Sequence, residues 1–417
     1  MSNKIIDNNE SSVRSYSIAF PVVFKKAHGS IIYSQHNKEY IDFFSGAGAL
    51  NYGHNHEVLN QRLIEYIKSD GIMHSLDMMT EAKITFISTF VSKIIKPRKL
   101  NYHIQFTGPT GANAVEAALK LARLNTKRSN IVAFTHAFHG VSLGALSATS
   151  NRWFREAAGV ELNNVTFLPF ENYVDNFDSI DYLDKALLDP ASGIDIPAAV
   201  IVETIQGEGG VNIASPLWLK RLREITTKHN ILLIVDDIQA GCGRSGQFFS
   251  FEEANIEPDL VILSKSISGS GLPMSLLLIK PKYDIWKPGQ HNGTFRGNNL
   301  AFVTATAAIN EFWTTQKFQK AIEQKQSIIY EKLAEIANEY LSEDLIIRGR
   351  GMFFGLDFRA HPNNAKKIAK KCLDNGLIIE VAGSHNEVLK LLPALNIPVD
   401  LLIKGLDIIK KSIAESA

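Results

Sequence analysis

Between Asn101 and about Ser270, short apolar runs alternate with amphipathic stretches, and this alternation constrains the fold more than any other feature of the chain. The runs at 131–134, 198–202, 231–235 and 261–264 are of strand length and apolar but for Ser264 at the end of the last. Such runs read as strands buried on both faces. The stretches at 112–125, 181–188 and 216–229 carry apolar residues at helical spacing. Strands buried on both faces and separated by helices predict a largely parallel sheet covered by helices.

The flanks read differently. FPVVFKKAHGSIIYSQHNKEYIDFFSG gives short strands with turns at Gly29-Ser30 and His36-Asn37, and 57–68 and 80–96 read as helices. Residues 299–341 are mostly helical in pattern. After Arg348 come the short apolar segments GMFFGLDF, NGLIIEVA and EVLKLLP, then a terminal amphipathic helix. The expectation is a large α/β domain over 56–310 and a smaller α+β domain built from both chain ends, 1–55 and 311–417. Residues 1–12 read as a mobile tail.

A length of 417 residues suits roughly two or three domains. Lys+Arg number 44 and Asp+Glu 43, so the net charge is +1 and no broad field draws nucleic acid or an acidic membrane. Cys242 and Cys372 are too few for a disulfide framework and fit a reducing compartment. The polar start MSNKIIDNNESS lacks the apolar core of a signal peptide, and no apolar run reaches bilayer length. A cytoplasmic protein with no nucleic-acid or membrane partner is expected.

In open α/β sheets, ligands collect at the carboxyl ends of the strands. Polar clusters stand there. QFTGPTGANAVEAALKLAR has Gly108 and Gly111 with Thr110 between them, followed by a strong helix. It is either a capped turn or an anion cradle, since glycines admit a close approach and a helix start offers free N–H groups. This cluster has neither GK[ST] after its second glycine nor the GxGxxG spacing, which weighs against a P-loop or dinucleotide site there. In THAFHG, Phe138 is either a core ring or a plate for a flat ligand ring. IVETIQGEGG supplies Glu203, Gln206 and Glu208, which could equally be solvated. ILLIVDDIQAGCGRSG ends an apolar strand in Asp236-Asp237, and a carboxylate there needs a cationic or hydrogen-bonding partner. A metal is disfavoured, because no His or Cys joins these acids at ligand spacing; the His54/His56 pair is a weak alternative.

One ammonium, Lys265, stands between two apolar runs in VILSKSISGSGLPMSLLLI. It is either a lysine extending to water or a desolvated amine nucleophile. A phosphate cradle, an aromatic plate, a carboxylate for a ring nitrogen and an amine are together the parts that hold pyridoxal 5'-phosphate.

VDDIQAGCGRSG followed by PDLVILSKSISGSGLPM resembles the signature of class III pyridoxal-phosphate aminotransferases, and the likeness runs from about Phe24 to Lys410. The resemblance implies fold type I, with a mainly parallel seven-stranded sheet in the large domain. It implies that Lys265 carries the cofactor, Asp236 pairs with its ring nitrogen and Gln239 approaches its ring hydroxyl. Phe138 would stack on the ring. Gly111 and Ala112 would bind the phosphate through backbone N–H groups, with Thr110 beside them. Thr294, in HNGTFRGNN, would reach the phosphate of a neighbouring subunit, giving a homodimer or an oligomer of dimers. The chain departs from the family where the usual Thr-Glu-Ala-Asn is Ala112-Asn113-Ala114-Val115 and the usual Tyr-His-Gly is Phe138-His139-Gly140.

SYSIAFPVVF, DFFSGAGALNYGHNH, DGIMHSLDM and HNGTFRGNNLAFVTATAA are similar to the diaminobutyrate branch of that family. That branch moves the amino group of glutamate onto aspartate 4-semialdehyde, giving diaminobutyrate and 2-oxoglutarate, and serves ectoine, siderophore and antibiotic pathways. In related ω-aminotransferases an arginine binds the α-carboxylate of glutamate and a glutamate swings to neutralise it; by that resemblance Lys390, in EVLKLLPAL, and Glu208 would take those roles here, with lysine lacking the bidentate fork of arginine. The bland alternative makes Lys390 a surface lysine on a short strand. An ω-aminotransferase using ornithine, 4-aminobutyrate or lysine would share these parts, as would an aminomutase or racemase; a dinucleotide-binding or non-enzymic α/β protein is a more distant alternative.

Overall fold

The computed structural model describes residues 2–340 and 345–416. Its largest sheet has seven strands, in the order His103–Phe106, Leu276–Ile279, Leu260–Leu263, Leu232–Asp236, Ala199–Val202, Ile131–Phe134, Val165–Leu168. The central members are buried throughout, as their unbroken apolar runs require. All run parallel except Leu276–Ile279, which is antiparallel to both neighbours. The cause lies in the preceding connection: residues 264–275 contain only a short turn at Lys265–Ser268 and no covering helix, and parallel crossovers need one. The seven-stranded, mainly parallel sheet expected from the family resemblance is therefore present.

Helix Gly111–Thr126 covers this sheet with a face of small residues, Ala114, Ala117, Ala118 and Ala122, which permits close approach. Thr110 caps it, its hydroxyl accepting the Asn113 N–H at 3.3 Å, and Lys127 ends it at a φ of +60°. The helices Ser179–Leu188 and Pro216–Lys228 follow the expected stretches. The helix expected over 80–96 is regular only over Glu81–Phe90; it passes into a wider turn at Val91–Ile95 and stops at Lys96–Arg98, where Pro97 has no N–H to continue it.

The two ends of the chain meet in a second sheet. Phe24–His28, Ile31–Ser34 and Glu39–Asp42 form a meander, and Leu377–Ile378 adds alongside Glu39–Asp42. A third sheet orders Ile346–Arg350, Phe353–Asp357, Val388–Leu391 and Glu380–Ala382, all antiparallel. The helices Lys317–Tyr340, Asn363–Asp374 and Val399–Ala414 pack around these strands. The N-terminal segment is not the tail its polarity suggested: Ser2–Asn9 is helical, and Arg14 pairs with Asp7 at 2.5 Å. Position 1 of that expected tail and position 341 of the helical stretch lie outside the described residues. No helix among the described residues is long and apolar enough to cross a membrane.

Candidate active site

The carboxyl ends of Ile131–Phe134, Ala199–Val202, Leu232–Asp236 and Leu260–Leu263 open onto one cavity of about 180 Å³. Gly111, Ala112, Phe138, Glu208, Asp236, Gln239 and Lys265 line it, so most of the sequence-predicted residues are brought together there. Thr110, Lys390 and Thr294 are not on its wall. Thr110 is the helix cap. Lys390 lies immediately behind Glu208. Thr294 is exposed in the turn Thr294–Arg296, its carbonyl accepting a hydrogen bond from His74 at 2.7 Å.

Lys265 sits at the end of a buried strand with a φ of +53°, a left-handed conformation that a long side chain adopts only when its surroundings enforce it. Its amine donates to the carbonyl of Ala47 at 2.8 Å. Although the cavity leaves part of the side chain accessible, the surrounding protein desolvates the amine and lowers its pKa, with the ammonium of Lys390 adding to this and Glu208 opposing it. Ala47 belongs to the N-terminal segment and is itself left-handed, at a φ of +56°. Its carbonyl also accepts from the Gln239 amide at 3.0 Å, so one backbone atom positions two side chains. Gly207 packs against Gln239 so closely that a Cβ would overlap the amide oxygen.

Asp236 ends the central strand with 4% of its surface exposed. One carboxylate oxygen lies 2.7 Å from Nδ1 of His139 and the other accepts the Ile238 N–H at 3.2 Å. Burial alone would lower the His139 pKa; the hydrogen bond with Asp236 and the charges of Asp236 and Glu203 outweigh it and raise it. Glu203 accepts the Phe138 N–H at 3.0 Å and is pushed up to about 8, first by burial and then by Asp236, against the pull of His139. Asp237, the neighbouring acid, points elsewhere and accepts the Ser250 N–H at 3.1 Å.

Lys390 is fully buried, which removes the reading of a surface lysine. Its ammonium lies 2.7 Å from Glu208 and 3.1 Å from Glu380. Burial raises the Glu208 pKa, but Lys390, Lys265 and the hydrogen bonds from Lys390 and Gln239 override it and hold the group at about 2. Sequence reasoning missed Glu380 and gave His139 no role. The signal for Glu380 was a charge inside the apolar run LIIEVA, as Lys390 is in VLKLL.

The donor set fits pyridoxal phosphate. A desolvated amine and a buried carboxylate share one cavity, and a ring, Phe138, forms part of its wall. The uncapped first N–H groups of helix Gly111–Thr126 belong to Gly111 and Ala112 on the same wall. Room is kept by small residues: a Cβ at Gly140, whose φ is +122°, would come within 2.8 Å of the Ala112 methyl. No group of three or more His, Cys, Asp or Glu that could hold a metal occurs among the described residues.

A profile of the family "Aminotransferase class-III" matches residues 12–413. A diaminobutyrate--2-oxoglutarate transaminase of Bordetella parapertussis is 55% identical over 417 residues, 100% of this chain and 96% of that protein. One of Halomonas elongata is 51% identical over 417 residues, 99% of each. Among solved structures, the ornithine aminotransferase of Toxoplasma gondii ME49 superposes with a TM-score of 0.86 at 24% identity, covering 99% of this chain and 94% of that one. At that identity the superposition speaks for the fold alone.

Proposed function

The chain belongs to the class-III aminotransferases, and from that premise we propose that it moves the amino group of L-glutamate to L-aspartate 4-semialdehyde, giving L-2,4-diaminobutanoate and 2-oxoglutarate, reversibly and by a ping-pong route. The structural observation that carries the substrate reading is the buried Lys390 masked by Glu208 beside Lys265. Glutamate presents its α-amine with a carboxylate on the same carbon, which needs a cation. Diaminobutyrate presents its terminal amine with no carboxylate there, which needs that cation hidden. A lysine behind a glutamate that faces the cavity supplies both states.

Bound in this cavity, pyridoxal phosphate supplies an electron sink for the charge that builds on the substrate carbon. Lys265 would carry it and, displaced by the amino donor, hold and move the proton at the substrate carbon; its lowered pKa suits that task. Asp236, held by His139, would face the ring nitrogen and keep it protonated. Phe138 would stack on the ring and Gln239 would approach the ring hydroxyl. Gly111 and Ala112 would take the phosphate through their N–H groups, with Thr110 beside them. Thr294 would serve the phosphate of a second subunit.

That last role requires a homodimer or an oligomer of dimers. The exposed apolar residues Ile72, Met73, Leu76, Met78 and Met79, beside the loop that carries Phe295, support a surface covered by a second copy. The shared sheet of Glu39–Asp42 and Leu377–Ile378 supports a small domain of residues 1–55 and 311–417 around a large domain of 56–310. Two buried, unpaired cysteines support a cytoplasmic location.

The test is a donor comparison. The holoenzyme is given 2-oxoglutarate with diaminobutyrate, ornithine, 4-aminobutyrate or lysine, and glutamate is quantified. Diaminobutyrate should give a kcat/KM at least about tenfold above the others, a discrimination of the order one or two misplaced polar contacts produce. A better ornithine or 4-aminobutyrate reaction would reassign the substrate, and absence of glutamate formation would favour an aminomutase or racemase.

A further inference from the structure

Lys390 has a second carboxylate partner that does not face the substrate cavity. Glu380 is the cross-strand register partner of Lys390 in the antiparallel pair Glu380–Ala382 and Val388–Leu391, is only 7% exposed, and places Oε1 3.1 Å from the ammonium. Apart from the ammonium, no hydrogen-bond partner reaches that oxygen. Glu208 sits in the cavity wall, between the cavity and Lys390. Glu380 lies on a paired strand, directly across from Lys390 and off that wall.

Charge arithmetic then gives a consequence. With both glutamates ionised, Lys390 is more than neutralised. If Glu208 turns away when glutamate or 2-oxoglutarate binds, an ionised Glu380 still cancels Lys390 and leaves no net charge for the incoming α-carboxylate. Only a neutral Glu380 exposes a full positive charge. We propose that Glu380 is a specificity-determining residue that binds a proton whenever a dicarboxylate occupies Lys390. This rests on the reading of Lys390 as the α-carboxylate site.

The surroundings of Glu380 favour such a proton. Burial raises its pKa first, and Glu208 adds to this, against Lys390 and Lys265; the balance lies at about 7. The phenol of Tyr16, from the N-terminal segment, faces the same charges: burial raises its pKa first, and Glu380 and Glu208 add to this against Lys390. Because the dicarboxylate complex favours the protonated form, affinity should fall as pH rises above about 7, by up to about tenfold per pH unit. Diaminobutyrate, bound with Glu208 turned back to Lys390, should lack this slope.

The experiment measures binding of glutarate, an unreactive dicarboxylate, to the pyridoxal-phosphate holoenzyme by calorimetry between pH 6 and 9, in buffers of different ionisation heat. The wild type should take up close to one proton per glutarate at pH 8 and show the falling affinity. Glu380→Gln should bind glutarate more tightly at pH 8, take up correspondingly less proton and lose the slope. Should the variant fail to fold, the proton count on the wild type decides: no uptake at pH 8 overturns the proposal. An unchanged slope in a folded Glu380→Gln overturns it too. Lys390→Met separates the premise: unchanged glutarate affinity in that variant refutes the reading of Lys390, whereas a loss there with an unaltered slope in Glu380→Gln refutes the role of Glu380 alone.

Discussion

His139 and Asp236 face each other at 2.7 Å, imidazole Nδ1 to carboxylate, and almost no water reaches either. The imidazole fixes the acid at the end of the central strand, and its pKa is raised by that contact. Of the adjacent acids, only Asp236 lines the cavity, while Asp237 is spent on the Ser250 N–H. Asp236→Asn should therefore keep the fold and slow both half-reactions by about 10²-fold or more, since a neutral ring is a poor electron sink. Asp237→Asn should stay within about tenfold of wild type per folded molecule, an effect of packing rather than chemistry. Single-turnover rates, with circular dichroism as the folding control, check both; the reverse ranking would mean that Asp237 holds the ring.

Lys265→Ala should lower turnover by at least about 10⁴-fold while leaving non-covalent cofactor binding through the helix start and Asp236. Borohydride reduction of the wild type followed by peptide mass spectrometry should place the adduct on Lys265. An adduct on Lys390, the other lysine in this cluster, would invert the assignment of the two amines.

The chain announced its parallel strands because residues buried on both faces must be apolar throughout, and it announced the site because polar residues at the ends of such strands have few places to go. Asp236, Lys265 and Glu208 were legible for that reason, whereas Gln239 was legible only through the family resemblance. The reversed strand Leu276–Ile279 was not, since direction is a property of the connection and not of the apolar run. The edge strand Val165–Leu168 is only partly buried and carries a weaker signal. The carbonyl of Ala47, which holds both Lys265 and Gln239, left no trace in the sequence beyond a GAG tripeptide, because backbone atoms act through position and any residue provides them. Glu380 was hidden by its type: a glutamate reads as exposed until the register shows Lys390 opposite.

The segment from Ile72 to Met79 leaves Met79 88% exposed and Met78 57% exposed. A patch of this kind on a free surface invites association. Met79→Asp should weaken that association and, if Thr294 completes the neighbouring site, should lower cofactor affinity together with the oligomeric state. Sedimentation velocity against protein concentration, paired with cofactor titration, follows both quantities. A wild type that is monomeric and active at assay concentration would remove Thr294 from the site.

Lys390→Ala tests the substrate switch, and its stability effect must be separated from its kinetic one. The substitution leaves Glu208 and Glu380 without their shared cation. Removing one partner of a buried ion pair destabilises by about 3–5 kcal/mol, and protonation of Glu380 would relieve part of this. The variant should therefore melt at a lower temperature than wild type, and the double variant Lys390→Ala, Glu380→Gln should recover part of the difference. Kinetically, the glutamate half-reaction loses its carboxylate anchor, a charge-assisted contact worth roughly 1.5–3 kcal/mol, or about 10- to 150-fold in kcat/KM. The diaminobutyrate half-reaction needs Lys390 only to be silent, so it should change by less than about threefold. Rapid mixing of each amino donor with the holoenzyme, read through the cofactor's absorbance below the melting range of the variant, compares the two directly. Equal losses in both halves would show that Lys390 serves the fold alone and that the switch between donors resides elsewhere in the cavity.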